Sequence, residues 1–159
     1  MMIYKLEIDG WKSNIRFSSA HILPEHEKCG VLHGHSYAIH ANFYGEKDKT
    51  DLVIDFSNVK KSLREIADKL DHKVLISKKS KYVKIQDAEI IIEFLGKKYV
   101  FPKKDCMLLP LTNTTAENLA DFILSEFIKK NSLSKNVKRI ELGVDEGFGQ
   151  GAWVEKIIG

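Results

Sequence analysis

HGHSYAIHANFYG, residues 33–45, places His33, His35, Tyr37, Ile39, Ala41 and Phe43 at every second position, with His40 on the alternate set. A period of two is the signature of an extended strand, whose side chains point to opposite faces in turn. One face of this strand therefore begins with two histidines and continues as an apolar surface. Upstream, NIRFSSAHIL (14–23) shows the same habit, with Ile15, Phe17, Ser19 and His21 on one face. Pro24 and the polar run EHEKCG (25–30) break the two strands apart as a loop.

The reading extends outward from there. IYKLEIDG (3–10) alternates Tyr4, Leu6 and Ile8 against Lys5, Glu7 and Asp9, a half-buried strand. DFSNVKKSLREIADKL (55–70) spaces Phe56, Val59, Leu63, Ile66, Ala67 and Leu70 by three and four, an amphipathic helix capped by Asp55. AEIIIEFLGKKYVFP (88–102) reads as a hairpin around Gly96-Lys97, part of an insertion spanning about 78–108. LTNTTAENLADFILSEFIKKN (111–131) opens with a capping-box spacing, Thr114-x-x-Glu117, and buries Leu119, Phe122, Ile123 and Phe127. VKRIELGVDEGFGQGAWVEKI (137–157) is two strands around a glycine-rich turn. The order predicts an α+β chain, with an antiparallel sheet and the helices on one face.

Composition bounds the function. A chain of 159 residues with 43% hydrophobic and 30% charged residues is expected to form one domain, 1–159, rather than a disordered segment. No apolar run approaches a membrane span and the N-terminus lacks a signal-peptide pattern, so a cytoplasmic protein is expected. Two cysteines do not make a disulfide framework. A net charge of +3, with lysines scattered through SKKSKYVK (77–84) and FPKKD (101–105), gives no nucleic-acid motif. An anionic small molecule remains a fitting partner.

Three of the six histidines fit one metal-ligand geometry. His33 and His35 lie two apart on a strand, Gly34 leaves no side chain between them, and His21 ends the preceding strand, so an antiparallel return brings it alongside. Cys29 is either a fourth ligand closing a structural site or a separate nucleophile or base. His26 and His40 read as structural, and Cys106 as packing. Asp71 and His72 follow the first helix and need not bond each other. Glu146 continues the buried face of Ile140, Leu142 and Val144, where a carboxylate requires a cation or paired N–H donors. Thr114, Thr115 and Glu117 have a sufficient reason as helix-start residues, although helix-start amides can also hold a ligand.

FSSAH (17–21), CGVLHGHSY (29–37), VIDFSNVK (53–60), LDHKVL (70–75), NTTAEN (113–118) and VDEG (144–147) together resemble the 6-pyruvoyltetrahydropterin synthase / 6-carboxytetrahydropterin synthase family. The Cys-x-x-x-His-Gly-His spacing is similar to the carboxy-forming branch, which supplies deazapurine tRNA modifications such as queuosine and archaeosine. The resemblance implies a tunnelling fold, with a four-stranded antiparallel sheet, two helices on one face, and subunits joined as a homo-oligomer, commonly a hexamer with sites between subunits. It implies Zn2+ on His21, His33 and His35, proton transfer by Cys29 and by Asp71 with His72, and a pterin held by Glu146 with help from Thr114 and Thr115. The implied reaction is a lyase step on 7,8-dihydroneopterin triphosphate. Alternatives are an enzyme that stops at 6-pyruvoyltetrahydropterin or cleaves dihydroneopterin, a structural zinc module, and a pterin-binding protein without catalysis. The chain departs from the family pattern in its long insertion, in NTT where NPT is usual, and in DEG where ET is expected.

Overall fold

The computed structural model describes residues 1–159. In chain order the elements are β1 (Tyr4–Ile8), β2 (Arg16–His21), β3 (His33–Gly45), α1 (Phe56–Leu70), β4 (Lys73–Ser77), β5 (Val83–Ile85), β6 (Glu89–Phe94), β7 (Lys97–Pro102), β8 (Cys106–Leu109), α2 (Ala116–Lys130), β9 (Val137–Glu146) and β10 (Gly151–Ile157). Seven strands form the main sheet in the order β10-β9-β3-β2-β4-β8, with β1 also on β3.

β3 is the centre because its 13 residues are long enough to hold two partners end to end on one edge. β1 pairs with its C-terminal part, Tyr4 opposite Gly45, and β2 with its N-terminal part, His21 opposite His33. β9 runs along the other edge and β10 returns against β9. These pairs are the antiparallel sheet that the alternation predicts. β4 and β8 then extend it in parallel beyond β2, two strands that the sequence reading does not contain.

Both helices pack on one face. Tyr37, Ile39, Ala41 and Phe43 of β3 join Leu63, Ile66 and Leu70 of α1 and Leu119, Ile123 and Phe127 of α2 in one buried cluster. Apolar burial of this kind contributes roughly 1.5–3 kcal/mol per large side chain, so it fixes which face of β3 is inward. Asp55 caps α1 as expected, accepting from the Ser57 amide at 2.8 Å. Phe56 is the exception on that helix, since it sits at the first turn and remains exposed. In α2, Phe122 is only partly buried, and Ala120 and Leu124 complete the inward stripe.

The sheet face away from the helices carries a polar layer. His40 Nδ1 accepts from the Gly10 amide at 3.0 Å, so its Nε2–H donates to Asp145 at 2.9 Å. The same carboxylate oxygen accepts from the Trp11 indole at 2.8 Å. His40 is thus structural, as its strand position indicates. Gly10 is required here, because a Cβ would lie 2.1 Å from the Ile39 carbonyl oxygen.

The insertion is a hairpin with a third strand. β5, β6 and β7 form a separate antiparallel sheet over a small core of Ile22, Ile76, Ile90, Ile92 and Phe94. Its tight turn is centred on Leu95 and Gly96, one residue earlier than the sequence reading places it, with φ of 47° and 75°. Two successive positive φ values suit a two-residue hairpin loop, for which Asn-Gly is the favoured pair. A leucine in left-handed backbone is strained, and it is 88% exposed with little packing to lose. Leu95→Asn is therefore expected to stabilise the protein by about 0.5–1 kcal/mol, read as a higher urea midpoint with an unchanged slope. Gly10→Ala is expected to lower the same midpoint.

Candidate active site

The register of β2 against β3 sets His21 directly opposite His33 and Ser19 opposite His35. The three imidazoles converge, with ligand atoms all within 4.8 Å of one another. Gly34 contributes differently from the sequence expectation. Its missing side chain belongs to the other sheet face, where a Cβ would lie 3.0 Å from the Ser19 carbonyl oxygen, so glycine permits the close approach of β2.

The far sides of two of the rings fix their tautomers. His21 Nδ1 lies 3.0 Å from the Thr114 carbonyl oxygen and 3.1 Å from its hydroxyl, and His33 Nδ1 lies 2.7 Å from the Val31 carbonyl oxygen. A carbonyl only accepts, so both Nδ1 atoms carry the proton and both Nε2 lone pairs point inward. Those two Nε2 atoms are 3.0 Å apart. Lone pairs at that separation repel, and a shared cation converts the repulsion into coordination. Burial first, and the His33 charge second, push the His21 pKa down to about 4. A histidine that is neutral at ordinary pH is what metal ligation needs. The donor set fits a divalent transition metal of the zinc class.

Cys29 is not among the three residues whose ligand atoms converge. It sits in the loop between β2 and β3, where the Leu23 amide donates to the Cys29 carbonyl at 2.9 Å and the Cys29 amide donates to His26 Nδ1 at 3.0 Å. His26 is thereby a structural residue of the loop. Cys106 is half-buried on β8, and burial first, then Asp105, pushes its thiol up to about 11. That is the behaviour of a packing cysteine.

Asp71 and His72 are bonded to each other, 2.8 Å from Asp71 Oδ2 to His72 Nδ1. The reason lies in the backbone. Asp71 is the residue closing α1, and His72 adopts a φ of 55°, which turns its ring back toward its neighbour. The Ser18 amide donates to Asp71 Oδ1 at 2.7 Å while the His72 amide donates to the Ser18 carbonyl at 2.7 Å, docking the pair beside β2. The Ser18 bond chiefly, with the His72 bond behind it, holds the Asp71 carboxyl below the usual carboxylate range. His72 lines an open groove of about 590 Å³ with Ser18, Ser36, Lys73 and Asp105. Ser18 and Ser36 alternate with the three histidines along their strands, and His35 also lines this groove.

Glu146 ends β9 opposite Tyr37, with its carboxylate 3.9 Å from His35 Nε2. It lines a pocket of about 240 Å³ with Leu23, Thr115, Glu117 and Gln150. Thr115, not Thr114, caps α2, its hydroxyl accepting from the Asn118 amide at 3.4 Å. The capping box on Thr114 is thus displaced by one residue. Thr114 is buried behind His21, while Glu117 is left to face the pocket as a second carboxylate. The capping-box spacing accounts for Glu117 as a helix-start residue; its place in the first turn of α2, two residues after the cap Thr115, is the signal that it can also face a ligand. Tyr37 is a further residue the sequence reading did not single out. The ring stacks on Phe17 at 4.6 Å beneath the histidines, and its buried hydroxyl has no partner. Burial, and secondly the Glu146 charge, hold this phenol above the ordinary tyrosine value.

Comparison with known proteins gives this chain relatives in sequence and in fold. Residues 11–156 match the family model described as 6-pyruvoyl tetrahydropterin synthase. A relative from Methanocaldococcus jannaschii, provisionally named as a 6-carboxy-5,6,7,8-tetrahydropterin synthase, is 40% identical over 158 residues, covering 96% of this chain and 97% of that one. The 6-carboxy-5,6,7,8-tetrahydropterin synthase of Aquifex aeolicus is 30% identical over 125 residues, covering 76% and 70%. The crystal structure of 6-pyruvoyl tetrahydropterin synthase from Plasmodium vivax superposes with a TM-score of 0.90 at 27% identity, covering 99% of this chain and all of that one (100%).

The buried His21 generates a pH dependence whose sign is fixed. Its folded pKa of about 4 lies below the unfolded value of 6.5, so the unfolded chain binds the proton first. In metal-free protein this contribution is complete above pH 6.5, is lost as pH falls toward about 4, and is level below that. Urea unfolding across this range is expected to show a shallower pH slope for His21→Gln than for the parent.

Proposed function

The chain belongs to the 6-pyruvoyl tetrahydropterin synthase family and is a lyase of the pterin-synthase type, and from that premise we propose a zinc-dependent, carboxy-forming reaction. Its substrate is 7,8-dihydroneopterin triphosphate with water, and its products are 6-carboxy-5,6,7,8-tetrahydropterin, acetaldehyde and triphosphate, for deazapurine tRNA modification. The observation that carries this reading is the convergence of three imidazoles beside a carboxylate-lined pocket, His35 Nε2 standing 3.9 Å from Glu146. The Cys-x-x-x-His-Gly-His spacing and the names of the sequence relatives favour the carboxy branch.

His21, His33 and His35 would hold the zinc, which when bound supplies Lewis acidity to the hydroxyl oxygens of the substrate side chain. Glu146 accepts from the 2-amino and N3–H groups of the pterin, and Glu117 supplies a second acceptor from the helix start. Paired acceptors set which edge of the ring enters and which carbons face the histidines. The Thr115 hydroxyl and the adjoining backbone border the same pocket.

Proton movement falls to Cys29 and to Asp71 with His72. Asp71, held anionic, accepts from His72 Nδ1–H and so presents His72 Nε2 as the atom that takes or returns a proton. Cys29 serves as the complementary acid or base. The family resemblance puts the completed site between subunits of a homo-oligomer, where these groups would meet. The hydrogens leaving the side chain enter the pterin ring, so the redox change is internal and needs no nicotinamide.

The sister activity, release of 6-pyruvoyltetrahydropterin, is favoured by one observation, the TM-score of 0.90 to a structure of that name. Mass spectrometry separates the two. Zinc-loaded protein given 7,8-dihydroneopterin triphosphate is expected to yield carboxytetrahydropterin and acetaldehyde; pyruvoyltetrahydropterin moves the assignment to the sister reaction, and unchanged substrate refutes both. Cys29→Ala is expected to retain zinc and to lose turnover by about 100-fold or more. Glu146→Gln is expected to raise KM by roughly tenfold, the weight of one charge-assisted hydrogen bond.

A further inference from the structure

The loop carrying Cys29 is gripped from outside by the insertion at three places. Ile22, the residue after His21, is 6% exposed and packs into the small core of β5–β7 with Ile90, Ile92 and Phe94. At the next point the Tyr82 hydroxyl donates to Glu25 Oε1 at 2.7 Å, and Lys81 pairs with the same carboxylate at 3.2 Å. At the third, Lys97 Nζ donates to the Gly30 carbonyl at 3.3 Å, one residue beyond Cys29. Lys97 follows the Leu95-Gly96 turn, and its ammonium lies 5.5 Å from the Phe94 ring centroid, a cation–π contact that aims it at the loop.

The loop also has little freedom of its own at this spot. The Gly30 amide donates to the His26 carbonyl at 2.8 Å, and a Cβ on Gly30 would lie 2.6 Å from that oxygen. A backbone drawn this tight transmits a pull on the Gly30 carbonyl directly to Cys29. Without the insertion, the loop would keep its internal bonds and lose its fixed orientation to the sheet.

We propose that the inserted sheet is a brace for the Cys29 loop, with Lys97 and Tyr82 acting as positioning residues that set where the Cys29 thiol stands relative to the three histidines. The catalytic meaning of the brace rests on the reading of Cys29 as an acid or base. The exposed Glu25 pair contributes little alone. The apolar seat of Ile22 holds the inserted sheet against the main one, and the two hydrogen bonds fix the loop on it.

The test uses Lys97→Met, Tyr82→Phe and their combination in the zinc-loaded full chain. Tyr82→Phe keeps the ring against Phe94 and removes only the hydroxyl, so the fold is preserved. Iodoacetamide labelling of Cys29, followed by peptide mass spectrometry, is expected to quicken by about fivefold, the equivalent of one hydrogen bond near 1 kcal/mol. Turnover is expected to fall by a similar factor with KM unchanged, and Lys97→Arg, which still donates to the Gly30 carbonyl, is expected to restore both. Labelling that does not change in the double variant overturns the brace. Full activity in Cys29→Ala would instead remove the catalytic reading, and the labelling rate would judge the brace independently.

Discussion

His21 faces His33 across two antiparallel strands, and that pairing depends on the core rather than on the histidines themselves. Tyr37, Ile39, Ala41 and Phe43 must lie against the helices, and the period of two then carries the same face back through His35 to His33. Phe17 and Ile15 impose the equivalent demand on β2. A slip of one residue would expel both apolar rows and scatter the imidazoles together. The hydrophobic energy that selects the register is therefore also what assembles the ligand set, at no separate expense in specificity.

Around that pairing the chain assigns different tasks to neighbouring residues. Thr114 holds His21 from behind, and Val31 does the same for His33. Thr115 caps the helix and, with Glu117, faces the pocket that Glu146 shares. Asp71 and His72 are docked by Ser18 at the foot of α1, where Ser19 also donates to the Leu70 carbonyl. One helix end thus orients the Asp71–His72 pair and the other helix start orients the pocket. The sheet between them supplies the common frame.

Much of this was legible in sequence, and the failures have physical causes. The histidine cluster was visible because alternation gives direction as well as secondary structure. β4 and β8 were not, because short strands with near-continuous apolar runs show no alternation to read. The hairpin turn was misplaced by one residue since a leucine gives no hint of positive φ, while the adjacent glycine does. Asp71 and His72 offered no evidence of bonding, because the contact requires His72 to leave helical backbone, an event that spacing rules do not encode. Glu117 was hidden by a capping pattern that suited it equally well, and only the burial of Thr114 behind His21 released it.

The hydrogen bonds from His21 to Thr114 join a histidine of the sheet to the residue just before the cap of α2. Helix ends fray far more readily than central strands, opening at a small fraction of the global unfolding free energy. The orientation of the most deeply buried imidazole is consequently tied to the backbone that leads into a helix. Exchange of the amides at the start of α2 and the orientation of that imidazole become two readings of a single local equilibrium. Damage to that turn would disarm the centre while leaving the sheet, and nearly all of the protein's bulk stability, in place.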